Sequence, residues 1–279
     1  MLLKWSPLSS AIGVLVEDLD LSRPLDETAK QDLRKLFDEN CIVLIRGQSL
    51  SEEQLAIAGS WVGTLAKRGR PSAVRREGNP HITKVSNIRE NGVLIGSLPD
   101  GEVFFHADSA FNEFPHRASF LFAIEIPSIG GDTCFANMYK AYDMLPESLK
   151  RRIAGKRALQ LYDYATYEKA DREAGHSNVR SAEHPVVIVH PGSKRKALYV
   201  SRLMTRRIEG LDQSESEELI AELLTYAEHP SITYEHRWLP GDFLAWDNLS
   251  STHARTDFSP AERRLLLRGT TVGDYRPAA

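Results

Sequence analysis

The chain has 279 residues, 42% of them hydrophobic and 26% charged. That is enough to bury a large core without crosslinks, and it excludes a wholly disordered chain. Thirty-five Lys+Arg against 38 Asp+Glu leave a net charge of -3, which argues against a nucleic-acid partner gripped by overall charge. The two cysteines, Cys41 and Cys134, stand in no CxxC pair and read as small apolar residues in a reducing compartment. The apolar run 11–16 is too short for a signal-peptide core, and no segment approaches a membrane span. A cytoplasmic protein with no membrane partner is the expectation.

In chain order, residues 26–40 predict a helix capped by Asp26, with Leu33, Leu36 and Phe37 on one face. A buried strand, CIVLIRG, follows at 41–47. Ser51 and Gln54 form a capping box for a second helix whose apolar face includes Leu55, Ala58 and Trp61. Strands are predicted at 81–88, 119–126, 185–191, 197–201, 231–238, 243–247 and 263–272, each rich in β-branched and aromatic residues. Turn signals fall at Asn91-Gly92, Gly130-Gly131, Pro191-Gly192 and Pro240-Gly241. A third helix, with a box at Ser214 and Glu217, carries the stripe Leu219, Ile220, Leu223, Leu224 and Ala227. No repeat or linker divides the chain, so a single domain over 1–279 is expected. Many short strands without regular strand–helix alternation predict a mainly β sandwich or barrel with flanking helices, not a doubly wound sheet.

Three stretches could carry chemistry. In Phe105-His106-Ala107-Asp108, an extended backbone would send His106 and Asp108 to the same face, an imidazole and a carboxylate suited to a divalent transition metal. Alone this pair is a weak signal, because His-x-Asp also occurs on metal-free surfaces. His253, in WDNLSSTH at 246–253, supplies a third ligand from far down the chain. Two histidines and one carboxylate form the facial triad of non-haem Fe(II) oxygenases; zinc, with hydrolytic chemistry, is the rival for the same set. In RRLLLR at 263–268, alternation puts Arg264, Leu266 and Arg268 on one strand face. Two guanidinium groups there are costly to bury unless anions meet them. In GGDTCF at 130–135, Thr133 could aim a hydroxyl at an anion, although the motif alone reads as an ordinary hairpin.

Together, FFHADSAF (104–111), PSIGGDTCFANMYKAYDMLP (127–146), HPVVIVHPGSKRKALYV (184–200), WDNLSSTHARTDF (246–258) and RRLLLRGTTVGD (263–274) resemble the taurine dioxygenase/TfdA family of Fe(II)- and 2-oxoglutarate-dependent dioxygenases. VLVEDLDLSRPL (14–25) and IVLIRGQSLS (42–51) extend the likeness nearly end to end. The resemblance implies a double-stranded β-helix, the cupin-like jelly roll, with His106, Asp108 and His253 as ligands of Fe(II). It implies that Arg264 and Thr133 bind the distal carboxylate of 2-oxoglutarate and that Arg268 meets the acidic group of the primary substrate. The implied chemistry is decarboxylation of 2-oxoglutarate to succinate and CO2 with O2, coupled to hydroxylation of a small organic anion: a carboxylate, sulfonate or sulfate ester. An intact Asp108 points to hydroxylation, since related halogenases carry a small residue there. A homodimer or homotetramer is the assembly common in the family.

The segment matching the substrate-binding His and Tyr of taurine enzymes reads TLAKRGRPS here, and Glu102 stands where they carry Asn. Both departures point away from taurine. The basic run Lys67–Arg76 reads as a solvated loop or as a lid that gathers an anionic substrate. Two other readings of the same residues are a zinc hydrolase on the triad and a non-catalytic jelly-roll protein that binds small anions.

Overall fold

The computed structural model describes residues 3–67, 78–97, 101–162 and 180–279. Seven strands form a major sheet in the order Lys4–Pro7, Val14–Glu17, Ile42–Ile45, Phe243–Asp247, Ala118–Glu125, Leu265–Thr270 and Thr83–Ser86. Four form a minor sheet in the order Thr233–His236, Thr133–Asn137, Ser251–Arg255 and Val103–His106. Neighbours far apart in sequence pair antiparallel in both sheets, as the connections of a jelly roll require.

The central strands of the major sheet are buried on both faces. Ile42, Leu44, Leu121, Leu244 and Trp246 enter the core that also holds Phe135 and Ala136 of the minor sheet. Their strand neighbours Val43, Ile45, Phe120, Phe122 and Phe243 point the other way, into a second core with Leu33, Phe37, Leu55 and Trp61. Period-two alternation between two apolar layers is why these strands read as unbroken hydrophobic runs.

The first helix spans Glu27–Asn40, its N-terminus held by the Asp26 carboxylate accepting from Ala29 N–H, and it buries Leu33, Leu36 and Phe37. The second spans Glu52–Gly59 with the Ser51–Gln54 box complete. Trp61 lies just beyond it, buried in a 3-10 turn over Ser60–Val62. The helix Gln213–Ala227 starts ahead of the predicted box: Asp212 accepts from Glu215 N–H, and Ser214 Oγ instead donates to Glu218. Asp caps as well as Ser, and capping there adds two residues to the helix.

Other boundaries also shift. Residues 230–232 form a 3-10 turn before the strand Thr233–His236, and the run predicted at 185–191 divides between Ser181–Pro185 and Val187–Val189. Thr133 begins a central strand of the minor sheet and does not lie in a hairpin turn; the preceding Gly130 and Gly131, both at positive φ, make the bend. The strands at 4–7, 157–161 and 205–208 and the short helices Met138–Asp143 and Glu147–Ile153 have no counterpart in the sequence-based prediction. Of the basic run 67–76, all but Lys67 lies outside the described residues. No described helix is long and apolar enough to cross a membrane.

Candidate active site

The three predicted ligands meet between the sheets. Val103–His106 pairs antiparallel with Ser251–Arg255, and His106 and His253 are direct cross-strand partners. Their ring centroids are 4.1 Å apart. The strand stops at His106, and Asp108 sits in the tight turn that follows, so a turn and not extended backbone aims the carboxylate. Asp108 Oδ1 is 3.8 Å from His106 Nε2, and Oδ2 is 3.9 Å from His253 Nε2. One ligand atom from each residue lies within 4.8 Å of the others.

Protonation suits a cation. The Phe104 carbonyl can only accept, so its 2.8 Å contact with His106 Nδ1 puts the proton there and leaves Nε2 bare. Burial lowers the pKa of both histidines, His253 the more strongly because His106 adds to the effect. Burial alone would raise Asp108, but Arg268, the two histidines and a hydrogen bond from Ser119 outweigh it and hold the carboxyl well below its usual range. At neutral pH the set is therefore two neutral imidazoles and one carboxylate, the donor chemistry that fits Fe(II).

Beside this trio, a cavity is lined by Arg264, Arg268, Arg255 and Thr133 together with Val85, Val103 and Leu121. Arg264 and Arg268 reach it from one face of the strand Leu265–Thr270 and its approach, as alternation predicts, while Leu267 enters the opposite core. Arg264 is only 2% exposed. Its Nε and Nη2 donate to the Gly131 carbonyl at 3.2 and 3.0 Å, while Nη1 is buried with no partner among the described residues. Burial, reinforced by the charge of Arg255, pushes its pKa down to about 9, so it remains a cation at pH 7. A desolvated cation with an idle donor calls for an anion.

Gly131 makes this seat possible. Its φ is +69°, and a Cβ there would lie 3.0 Å from Arg264 Nε. Thr133 Oγ1 accepts from Trp238 Nε1 at 3.0 Å, which leaves the hydroxyl proton free to be donated. Arg268 Nη2 lies 2.6 Å from Asp108 Oδ2, and its Nε is a buried donor without a described partner. Arg255 was not singled out by sequence reasoning, although its place two residues after His253 on one strand was a usable signal.

A model of the taurine catabolism dioxygenase TauD, TfdA family matches residues 4–271. Pentalenolactone F synthase of Streptomyces avermitilis is 32% identical over 284 residues, covering 95% of this chain and 92% of that one. An alpha-ketoglutarate-dependent 2,4-dichlorophenoxyacetate dioxygenase of Cupriavidus pinatubonensis is 32% identical over 289 residues, covering 96% and 97%. Among solved structures, a taurine dioxygenase from Burkholderia xenovorans superposes with a TM-score of 0.84 at 28% identity, covering all of this chain and 92% of the other. The fold is thus the jelly roll of a non-haem oxygenase. The chain belongs to the TauD/TfdA family and is a dioxygenase that uses Fe(II), 2-oxoglutarate and O2.

Proposed function

We propose that the chain acts as a single dioxygenase domain that hydroxylates a small carboxylate with an apolar body. His106, Asp108 and His253 hold Fe(II), Arg264 and Thr133 bind the distal carboxylate of 2-oxoglutarate, and Arg268 receives the substrate anion. The observation that carries the reading is the pairing of His106 with His253 beside Asp108, over a buried Arg264 with one idle nitrogen. When bound, the iron supplies redox chemistry with O2 that no side chain can provide.

The chain's own part is positioning. Arg264, braced by Gly131, presents a fixed guanidinium edge, and Thr133 offers a second donor to the same carboxylate. His106, with its proton on Nδ1, leaves the Nε2 lone pair for the metal, and burial keeps His253 neutral beside it. Arg268 fixes one end of the substrate so that a C–H bond near that end faces the metal. Val85, Val103 and Leu121 favour an apolar body over the short polar chain of taurine. The 2,4-dichlorophenoxyacetate relative, named for an aryloxy carboxylate, supports the same preference. Action in the cytoplasm, as a homodimer or homotetramer, completes the proposal.

The test is succinate release from 2-oxoglutarate by purified protein with Fe(II), ascorbate and O2, across aryloxy and alicyclic carboxylates, sulfonates and sulfate esters. Stimulation by apolar carboxylates is expected; stimulation by sulfonates or sulfate esters alone would overturn the substrate assignment.

A further inference from the structure

Two buried residues join the metal carboxylate to the strand that carries Trp246. Asn248 lies in the turn between Phe243–Asp247 and Ser251–Arg255, and Ser119 lies in the major-sheet strand Ala118–Glu125; neither is exposed. Asn248 Oδ1 accepts from Asp108 N–H and from Trp246 Nε1–H, each at 3.1 Å. Two N–H donors on one atom fix that atom as oxygen, so Nδ2 faces Ser119 Oγ, 3.2 Å away, and donates to it. The Ser119 hydroxyl proton is therefore directed to Asp108 Oδ2, at 2.6 Å. One amide thus holds Asp108 by its backbone and, through a single hydroxyl, by its carboxylate. The same amide holds Trp246, whose ring lies 4.7 Å from that of His253.

We infer that Ser119 and Asn248 are positioning residues for the metal site, which set the rotation of the Asp108 carboxylate. Resting on the ligand assignment proposed above, this adds residues that the triad itself does not require. Oδ2 takes both the Ser119 hydroxyl and the Arg268 guanidinium, which leaves Oδ1 as the oxygen for the ion. A carboxylate held by one oxygen would present the other to the ion. Asn248 is itself kept in place by its neighbour. Asp247 receives Arg117 at 2.7 Å, His190 at 2.9 Å and Leu249 N–H at 2.8 Å, and Asn248 N–H donates to the Arg117 carbonyl at 3.0 Å.

Mn(II) affinity, measured by electron paramagnetic resonance of the free ion, tests this without turnover. Ser119→Ala should weaken Mn(II) binding about tenfold, the size typical for losing the partner of a metal ligand. Ser119→Cys, which keeps the volume but donates weakly, should weaken it similarly and decides the matter if the alanine variant does not fold. Ser216→Ala removes a buried hydroxyl that accepts from Ile208 N–H in another part of the molecule, and should lower stability without moving Mn(II) affinity. A Ser119 variant that binds within twofold of the parent, or a Ser216 variant that weakens binding equally, overturns the inference. His106→Ala separates the two levels. If it too binds Mn(II) normally, the ligand assignment itself has failed; if it alone loses the ion, only the role of Ser119 and Asn248 has.

Discussion

Two clusters among the described residues have the residue types of a metal site, and they differ in which ligand atoms are already engaged. At His106, Asp108 and His253, both Nε2 atoms face one carboxylate. At Asp38, His190 and Asp247, the Arg117 guanidinium lies 2.6 Å from one carboxylate and 2.7 Å from the other. His190 has no spare nitrogen: Nδ1 accepts from Ser193 N–H at 3.0 Å, so Nε2 carries the proton that goes to Asp247. The second cluster has one guanidinium across both carboxylates and no spare imidazole nitrogen; at the first, Arg268 engages a single carboxylate oxygen, Oδ2, and leaves Oδ1 facing the His106 imidazole. Residue identity nominates a metal site, but the partners already engaged decide it.

The comparison is most exposed to substitutions that exchange the expected roles. His106→Ala should abolish metal retention and reduce succinate formation to background, whereas His190→Gln should keep the metal and lower only stability. Elemental analysis and thermal denaturation of both proteins check this, and metal loss in the His190 variant would erase the distinction. Next in size is Asp247→Ala, which strands the buried Arg117 and should cost about 3–5 kcal/mol. For a chain of this length that corresponds to a fall in Tm of about 5–9 °C.

The pH dependence of the same group has a definite sign. Burial opposes ionisation of Asp247, but Arg117 and His190 prevail and depress its pKa below the ordinary 3.8. Its contribution is complete above about pH 4 and is lost as the pH falls through the lower folded value. Asp247→Asn should therefore flatten the acid side of the stability profile, as denaturant melts between pH 5 and pH 2.5 would record.

The arginines should separate by ligand. Losing a buried partner of a carboxylate costs about 2–5 kcal/mol, so Arg264→Ala should raise the KM for 2-oxoglutarate at least about thirtyfold. Arg268→Ala should leave that KM close to the parent value and damage turnover of the primary substrate; a reversed pattern in steady-state kinetics would exchange their assignments. The smallest effect is expected from Gly131→Ala. Positive φ costs alanine about 1 kcal/mol, and its Cβ crowds Arg264 Nε, so the KM for 2-oxoglutarate should rise a few-fold.

Legibility in the sequence followed burial. The strands at 42–45, 118–125 and 243–247 are packed on both faces and stand out as apolar runs. By contrast, Arg157–Leu161 and Thr205–Ile208 mix charge with apolar residues and hide among loops. Alternation nominated Arg264 and Arg268 for one strand face, and His-x-Asp marked a candidate pair, but the roles of these residues came from the family resemblance and not from spacing. Ser119 was not readable: one hydroxyl inside SFLFAIEI has no local signature, and its meaning comes from Asp108 and Asn248, which only the folded chain brings to it. The cap at Asp212 was missed for a simpler reason, since a second acceptable cap stands two residues later.

The central claim is that metal binds at the first of these two clusters and not at the second. Anomalous diffraction from crystals grown anaerobically with Mn(II) and 2-oxoglutarate measures this directly. The account predicts one strong peak within bonding distance of His106, Asp108 and His253; a peak between Asp38, His190 and Asp247, or none at the triad, would contradict it.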